Sequence, residues 1–444
     1  MSDAAQATSA EIRLTPAEVR AAMRTIYVAQ VFGLALFMLL FRGGVLSLYA
    51  LRIGASNSIL GVLGALYEGS FLYSFFVSPW IARFGKLRWM ITLLLAASVS
   101  SAGLFVVEPI YAGFGSGPAL AVLLVVMFLL TGLIGTGMAS WWPLLRDILP
   151  GELIGTFFGR LRTLIDGGGL LLVLGVSAFF GQQPALWKFL VVFAIGGLGQ
   201  LGRALLLRGL PDPRGAEPAA GSGLRQRLAA LKEPLVDWRF TFFCLVAFVL
   251  YAFISLPAPL FVPFLKLSRG FPTSLTVAGL AGLSMGSALS QIAWGRYADR
   301  HSPRLVFVVS CLPLALVQAL LALAPRYDPA LPWLSVALAG LCLALIGAGS
   351  AGFGMAYTAY LFQASPPQSS SVYMGLFTFL YSLGAIVGPL AGGFLADALA
   401  GVALPVAGAT LDNYQIVLIG SGLALALSLT LLRWLPAGRY GQQD

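Results

Sequence analysis

The stretch WGRYADRHSPR, Trp294 to Arg304, ends one long apolar run and precedes another. Arg296, Asp299, Arg300 and Arg304 crowd into a short loop between two nearly chargeless stretches. A shorter version, ARFGKLR at 82–88, divides two apolar runs much earlier in the chain. Placing Arg83 on Arg300 gives an offset of 217. A second landmark agrees. LPGELIGTFFGR at 149–160 and SPPQSSSVYMGL at 365–376 each precede a run, and placing Gly159 on Gly375 gives an offset of 216. Two landmarks whose offsets agree within one residue mark an internal repeat of about half the chain.

Composition says where the repeat lives. The 444 residues are 59% hydrophobic and 10% charged. Soluble domains carry about 25% charged residues, so there are too few polar side chains here to cover a water-facing surface. The apolar runs are long enough to cross about 30 Å of hydrocarbon as helices. We expect an all-α membrane protein with twelve spans, near 25–50, 58–82, 89–108, 118–145, 157–181, 185–208, 239–264, 274–297, 304–325, 332–362, 371–396 and 414–434. Segments 1–24 and 437–444 then lie outside the membrane. Residues 25–210 and 239–436 form two six-helix halves, and the Pro-, Gly- and charge-rich segment 211–238 links them. Within the linker, 224–232 reads as a short helix on the membrane surface. Thr15-Pro-Ala-Glu18 reads as a capping box with proline at the first helical position. No cleavable signal peptide is visible in the first 24 residues.

Basic residues set the orientation. Of 27 Lys and Arg, Arg52, Lys188, Lys266, Arg269 and Arg326 fall on one side, Arg42 lies within a span, and the remaining 21 fall on the other. The positive-inside rule places both termini and the linker in the cytoplasm. The net charge of +10 follows from this bias. It favours anionic lipids at the inner leaflet over nucleic acid. Cys244, Cys311 and Cys342 fall inside apolar runs as packing residues, and a single histidine argues against a His/Cys metal site. There is no phosphate-binding G-x-x-x-x-G-K-[ST] loop and no catalytic set, so no cofactor and no enzyme activity are expected.

The loop Gly295-Arg-Tyr-Ala-Asp299-Arg300-His-Ser-Pro-Arg304 resembles the signature loop of the major facilitator superfamily. Span number and linker position extend the resemblance over essentially the whole chain. The resemblance departs in three places: Ser78 and Ser302 stand where glycine is usual, and Ala82 where an acid is usual. WWPLLRDILPGELIGTFFGR at 141–160 is similar to a group of bacterial facilitator proteins, and Trp141-Trp142 within it reads as anchoring or packing. The resemblance implies that the loop latches one half onto the other. Asp299, with Arg300 and Arg304 beside it, would face the start of span 5, where Arg160 and Arg162 lie. A carboxylate near a helix N-terminus gains about 0.3–1 kcal/mol. Solvation of the loop is the simpler role for the arginines. Ala82 leaves the first half without this contact.

Three ionisable residues lie well inside spans: Arg42, Glu68 and Asp166. Each costs about 2.5–3.5 kcal/mol at a helix centre unless paired or hydrated. Arg42 and Glu68 lie about 12 and 15 Å deep from the same side on antiparallel neighbours. They form either a permanent structural pair or a substrate site with Arg42 as an anion anchor. Glu68 and Asp166 are then proton-coupling carboxylates. The structural alternative for Asp166 is a pair with Arg160 or Arg162 one turn away. The second half has no central charge. It offers Tyr251, Gln291, Tyr357, Tyr360 and Tyr381, on spans that line the cavity in this superfamily, so the resemblance makes Tyr251, Gln291, Tyr357 and Tyr381 substrate-binding candidates. Gly384, Gly388, Pro389, Gly392 and Gly393 resemble the superfamily's glycine–proline element. In exporters that element is typical of span 5, where this chain has Asp166-Gly-Gly-Gly and no proline.

The expected function is secondary transport of a small anionic or amphipathic molecule by alternating access, coupled to protons, in a monomer. The apolar, aromatic second half favours efflux. Lipid translocation with Arg42 on a phosphate is an alternative, and a non-transporting scaffold is another.

Overall fold

The computed structural model describes residues 14–73, 77, 80–81, 83–150, 153–211, 232–366, 370–406 and 409–435. Eleven helices among them are long and apolar enough to cross a membrane. The remaining span starts with Asn57–Gly69, tightens to a 3₁₀ turn over Ser70–Tyr73, and continues into partly described residues. We number the twelve membrane helices in chain order. In the first half they are α1 Pro16–Phe37, α2 Asn57–Gly69, α3 Lys86–Ser101, α4 Ser116–Met138, α5 Ile154–Phe180 and α6 Leu186–Leu207. In the second they are α7 Trp238–Ser255, α8 Thr273–Arg300, α9 Pro303–Leu321, α10 Pro332–Ala364, α11 Ser370–Ala398 and α12 Asn413–Ser428. The protein is thus all-α and built as two six-helix halves. A short hairpin between α11 and α12, β1 Leu404–Val406 with β2 Ala409–Leu411, lies outside the helical pattern. We call the two sides of the molecule the hairpin face and the linker face.

Local chemistry accounts for the helix ends. Thr15 Oγ1 accepts from the Glu18 N–H at 3.3 Å, and Glu18 Oε2 accepts from the Thr15 N–H at 2.7 Å, which makes the expected capping box. The helix it starts runs directly into the first span. The third span is longer than expected: a 3₁₀ turn and a further helix carry it on to Phe114, beyond Glu108. The cysteines are free, with Cys244 and Cys311 buried. Linker residues 212–231, and with them most of the expected surface helix at 224–232, lie outside the described residues, as do Ser78 and Ala82.

Both halves open with a broken helix. After Phe37 the first span widens into a π-turn at Met38–Arg42, and Gly44 takes φ +67° before helix resumes at Val45–Arg52. A side chain at Gly44 would be strained there, and its Cβ would sit 2.6 Å from Leu280 and Val262. The seventh span breaks at the repeat-equivalent place. A 3₁₀ turn at Ala258–Leu260 follows Ser255, and a π-turn at Phe264–Ser268 completes the span. Pro257, Pro259 and Pro263 supply that break, because proline removes a backbone donor and crowds the preceding turn. One half therefore breaks its first helix with glycine and the other with proline.

Glycine also sets the distance between elements. In α11, a Cβ at Gly388 would lie 2.4 Å from the Ala252 carbonyl oxygen, and one at Gly392 would lie 1.9 Å from that of Leu256, so this face of α11 sits directly on the seventh span. A Cβ at Gly393 would lie 2.4 Å from the Asn57 carbonyl oxygen, so the other face sits on α2. The glycine–proline element thus holds α11 against both halves through small-residue contacts. Bulky side chains such as Leu171, Leu198, Leu289 and Leu427 are exposed, as expected of a perimeter that meets lipid.

Candidate functional site

The break in the first span carries Arg42, one of the three ionisable residues that the sequence places well inside spans. Arg42 is the last residue of the π-turn, and Gly43 and Gly44 follow it. Its side chain is half-buried, and it makes no hydrogen bond or ion pair among the described residues. The turn that carries it packs on α2 through Tyr67, the residue before Glu68. Tyr67 stacks between two residues of the first span, with ring centroids 4.9 Å from Phe37 and 4.2 Å from Phe41. That stack turns the next residue, Glu68, toward the second half.

Glu68 does not form the ion pair with Arg42 that the sequence offers as one alternative. Its Oε2 accepts a hydrogen bond from Tyr251 Oη of α7 at 3.2 Å, across the interface between the halves. Tyr251 is held by rings of its own half, with centroids 4.3 Å from Tyr381 and 5.8 Å from Phe353. Tyr357 packs 5.1 Å from Tyr381 and 5.3 Å from Phe377. An aromatic wall from α7, α10 and α11 thus faces a charged one from α1 and α2. Glu68, Tyr251, Tyr357 and Tyr381 are all half-buried. An intramembrane carboxylate with one hydrogen bond, beside an uncommitted guanidinium, is able to bind a proton or face an anionic group.

Other candidates fall elsewhere. Asp166 is buried in α5. Nearby, Gly168 and Gly169 bring α5 against Leu34 and Met38 of the first span. Gln291 is half-buried in α8 and makes no hydrogen bond among the described residues. It lies about 10 Å nearer the linker face than Ser284, the repeat-mate of Glu68. Tyr360 stacks on Phe243 at 4.3 Å and is buried, so it packs the core. Trp141 is buried, while Trp142 is exposed. Asp299, Arg300 and Arg160 are exposed at the linker face, and Arg304 is half-buried. The Arg162 side chain lies outside the described ones.

Two charged features escape the sequence reading. Arg203 of α6 looks like an inner-end residue. It is instead buried against Gly33, whose absent side chain makes the space: a Cβ there would meet Arg203 Cδ at 2.2 Å. Its Nη2 reaches Met138 Sδ at 3.0 Å, and its Nε has no partner among the described residues. Lys86 and Asp147 pair at 2.6 Å, 61 residues apart in sequence. A guanidinium on a peripheral helix and a pair this distant leave no local pattern to find.

Two six-helix halves, meeting over a charged and aromatic centre where both first helices break, are the build of a membrane transporter. The chain belongs to the Major Facilitator Superfamily, whose sequence model matches residues 25–389 and 274–443. Its fold is similar to that of a variant of the nucleoside transporter NupG, with a TM-score of 0.73 at 14% identity, covering 93% of this chain and 99% of that one. The xylose transporter XylE from E. coli in a partially occluded inward-open conformation gives 0.65 at 14% identity, over 96% and 100%. A bacterial homologue of the human lysosomal transporter Spinster gives 0.61 at 16% identity, over 95% and 96%. No curated protein matches the sequence.

Proposed function

We propose that this chain is a proton-coupled secondary transporter of a small amphipathic or anionic molecule. Its linker face lies in the cytoplasm of a bacterial inner membrane. The observation that carries the reading is the Glu68–Tyr251 hydrogen bond between the halves, with the uncommitted Arg42 beside it. A carboxylate that touches both halves is placed to make its protonation state matter to how they pack. Coupling requires that kind of differential interaction. Arg42 offers a fixed positive charge to the substrate, and the tyrosines of α7, α10 and α11 offer flat apolar faces with hydroxyl tips. A D-xylose–proton symporter shares the fold at a TM-score of 0.64 and 14% identity. That protein's proton coupling accords with the reading.

A scaffold has no use for half-buried charge at its centre, which favours transport. A lipid route calls for a gap between the halves, and the glycine contacts between α2 and α11 leave none from Gly61 to Gly69. Efflux remains the favoured direction, on the apolar character of the second half. The test is uptake into proteoliposomes across a panel of amphipathic anions and their uncharged analogues. Arg42→Ala is expected to lose the preference for anions while keeping residual flux of the uncharged forms. Retained anion preference would remove Arg42 from the site.

A further inference from the structure

The hairpin-face end of α2 carries a contact that the transport site does not use. Ser56 caps the helix, with its Oγ accepting from the Ile59 N–H at 3.4 Å. That leaves the N–H groups of Asn57 and Ser58 without an intrahelical acceptor. Asp397, at the end of α11 in the other half, takes both. Its Oδ1 accepts from the Asn57 N–H at 3.1 Å and from Asn57 Nδ2 at 2.9 Å. Its Oδ2 accepts from the Ser58 N–H at 2.7 Å and from Ser58 Oγ at 2.5 Å. The carboxylate therefore sits on the positive end of a helix and satisfies two orphan donors. Tyr414 Oη donates to Asn57 Oδ1 at 3.2 Å, and Asn413 Nδ2 donates to the Ala396 carbonyl at 2.7 Å, so α12 fixes both partners.

The repeat shows that this contact is specific to one seam. An offset of 216 carries Asn57 and Ser58 onto Thr273 and Ser274, the first residues of α8, and carries Gly181 onto Asp397. The N–H groups of Thr273 and Ser274 are also taken across the halves, but by the backbone carbonyls of Gln182 and Gly181 at 3.1 and 3.0 Å. The same two helix-start donors are thus capped at both seams, by a side-chain carboxylate at one and by backbone at the other.

We propose that Asp397 is a hairpin-face latch: it holds α2 to α11 while that face is closed, and its release is part of opening. Asp299, the carboxylate of the loop at Trp294–Arg304, is exposed on the opposite face, so the two acids are at different stages of engagement in one structure. The proposal rests on the alternating-access reading. Its test measures conformation without substrate, so it fails separately from the site assignment.

Spin labels at the exposed positions Ala112 and Ala400, one in each half at the hairpin face, report the separation of the halves in a background with the three cysteines replaced by alanine. Pulsed electron-spin distances are measured on the full chain in lipid nanodiscs. Asp397→Ala is expected to raise the population with a long Ala112–Ala400 distance at least about fivefold, with Asp397→Asn falling between it and the reference. A folded Asp397→Ala sample whose distances match the reference, with or without a lower melting temperature, overturns the latch. If Asp397→Ala does not fold, Asp397→Asn and Ser58→Ala replace it with the same two outcomes.

Discussion

The two seams that join the halves at the hairpin face occupy equivalent places in the repeat and are built differently. Where α2 meets α11, the backbones touch through Gly61 and Gly393, and a single carboxylate closes the end. Where α5 meets α8, serine and backbone carbonyls do the work, with Ser177 Oγ donating to the Ser274 carbonyl at 2.7 Å. Gly393 and Ser177 are themselves repeat-mates at the offset of 216. One seam therefore depends on particular side chains and on the absence of one. The other depends mostly on groups that every residue carries. The site at Glu68 lies at the deep end of the side-chain-dependent seam, so closure and chemistry share that seam.

Substitutions should fall unequally on the two seams. The largest effect is expected from Gly393→Val, because a Cβ there would lie 2.4 Å from the Asn57 carbonyl oxygen and 3.0 Å from Gly61 Cα, and backbone cannot step aside. Overpacking of this kind costs about 1–3 kcal/mol. We expect a lower melting temperature together with loss of transport, and wild-type values for both would contradict the packing account. Next in size is Tyr251→Phe, which keeps the stack on Tyr381 and removes the hydroxyl from Glu68. A hydrogen bond to a charged group contributes about 1.5–3 kcal/mol, so proton-driven uptake is expected to fall about tenfold or more with the fold intact. The smallest effect is expected from Ser177→Ala. It removes one hydrogen bond, about 0.6 kcal/mol in membrane interiors, while the Thr273 and Ser274 N–H bonds persist. Transport close to wild type is the expected reading. A loss as large as that of Gly393→Val would erase the distinction between the seams.

Much of the fold is legible in the sequence because it follows from local properties. Apolar runs place the helices, Thr15 and Glu18 place the first cap, and the loop at Trp294–Arg304 with its offset reveals the halves. The site is legible in part. Arg42 and Glu68 stand out because charge inside an apolar run is costly. What depth cannot supply is direction. Two residues at equal depth on neighbouring helices are able to meet, and the π-turn at Met38–Arg42 together with the Tyr67 stack instead sends Glu68 to Tyr251. Asp397 was hidden for a related reason. It sits at a span end, where an acid in the sequence looks like an ordinary solvated residue. Only the approach of α2, made possible by Gly61 and Gly393, brings a helix start onto it. Arg203 is hidden in the same way behind Gly33.

The central claim is that Glu68 carries the coupling proton between the halves. Glu68→Gln keeps shape and hydrogen-bonding capacity and removes titration, so it separates movement of substrate from its coupling to protons. In proteoliposomes with an imposed pH gradient, we expect Glu68→Gln to keep substrate exchange at equilibrium and to lose gradient-driven accumulation. Accumulation at the wild-type level in that variant would contradict the account.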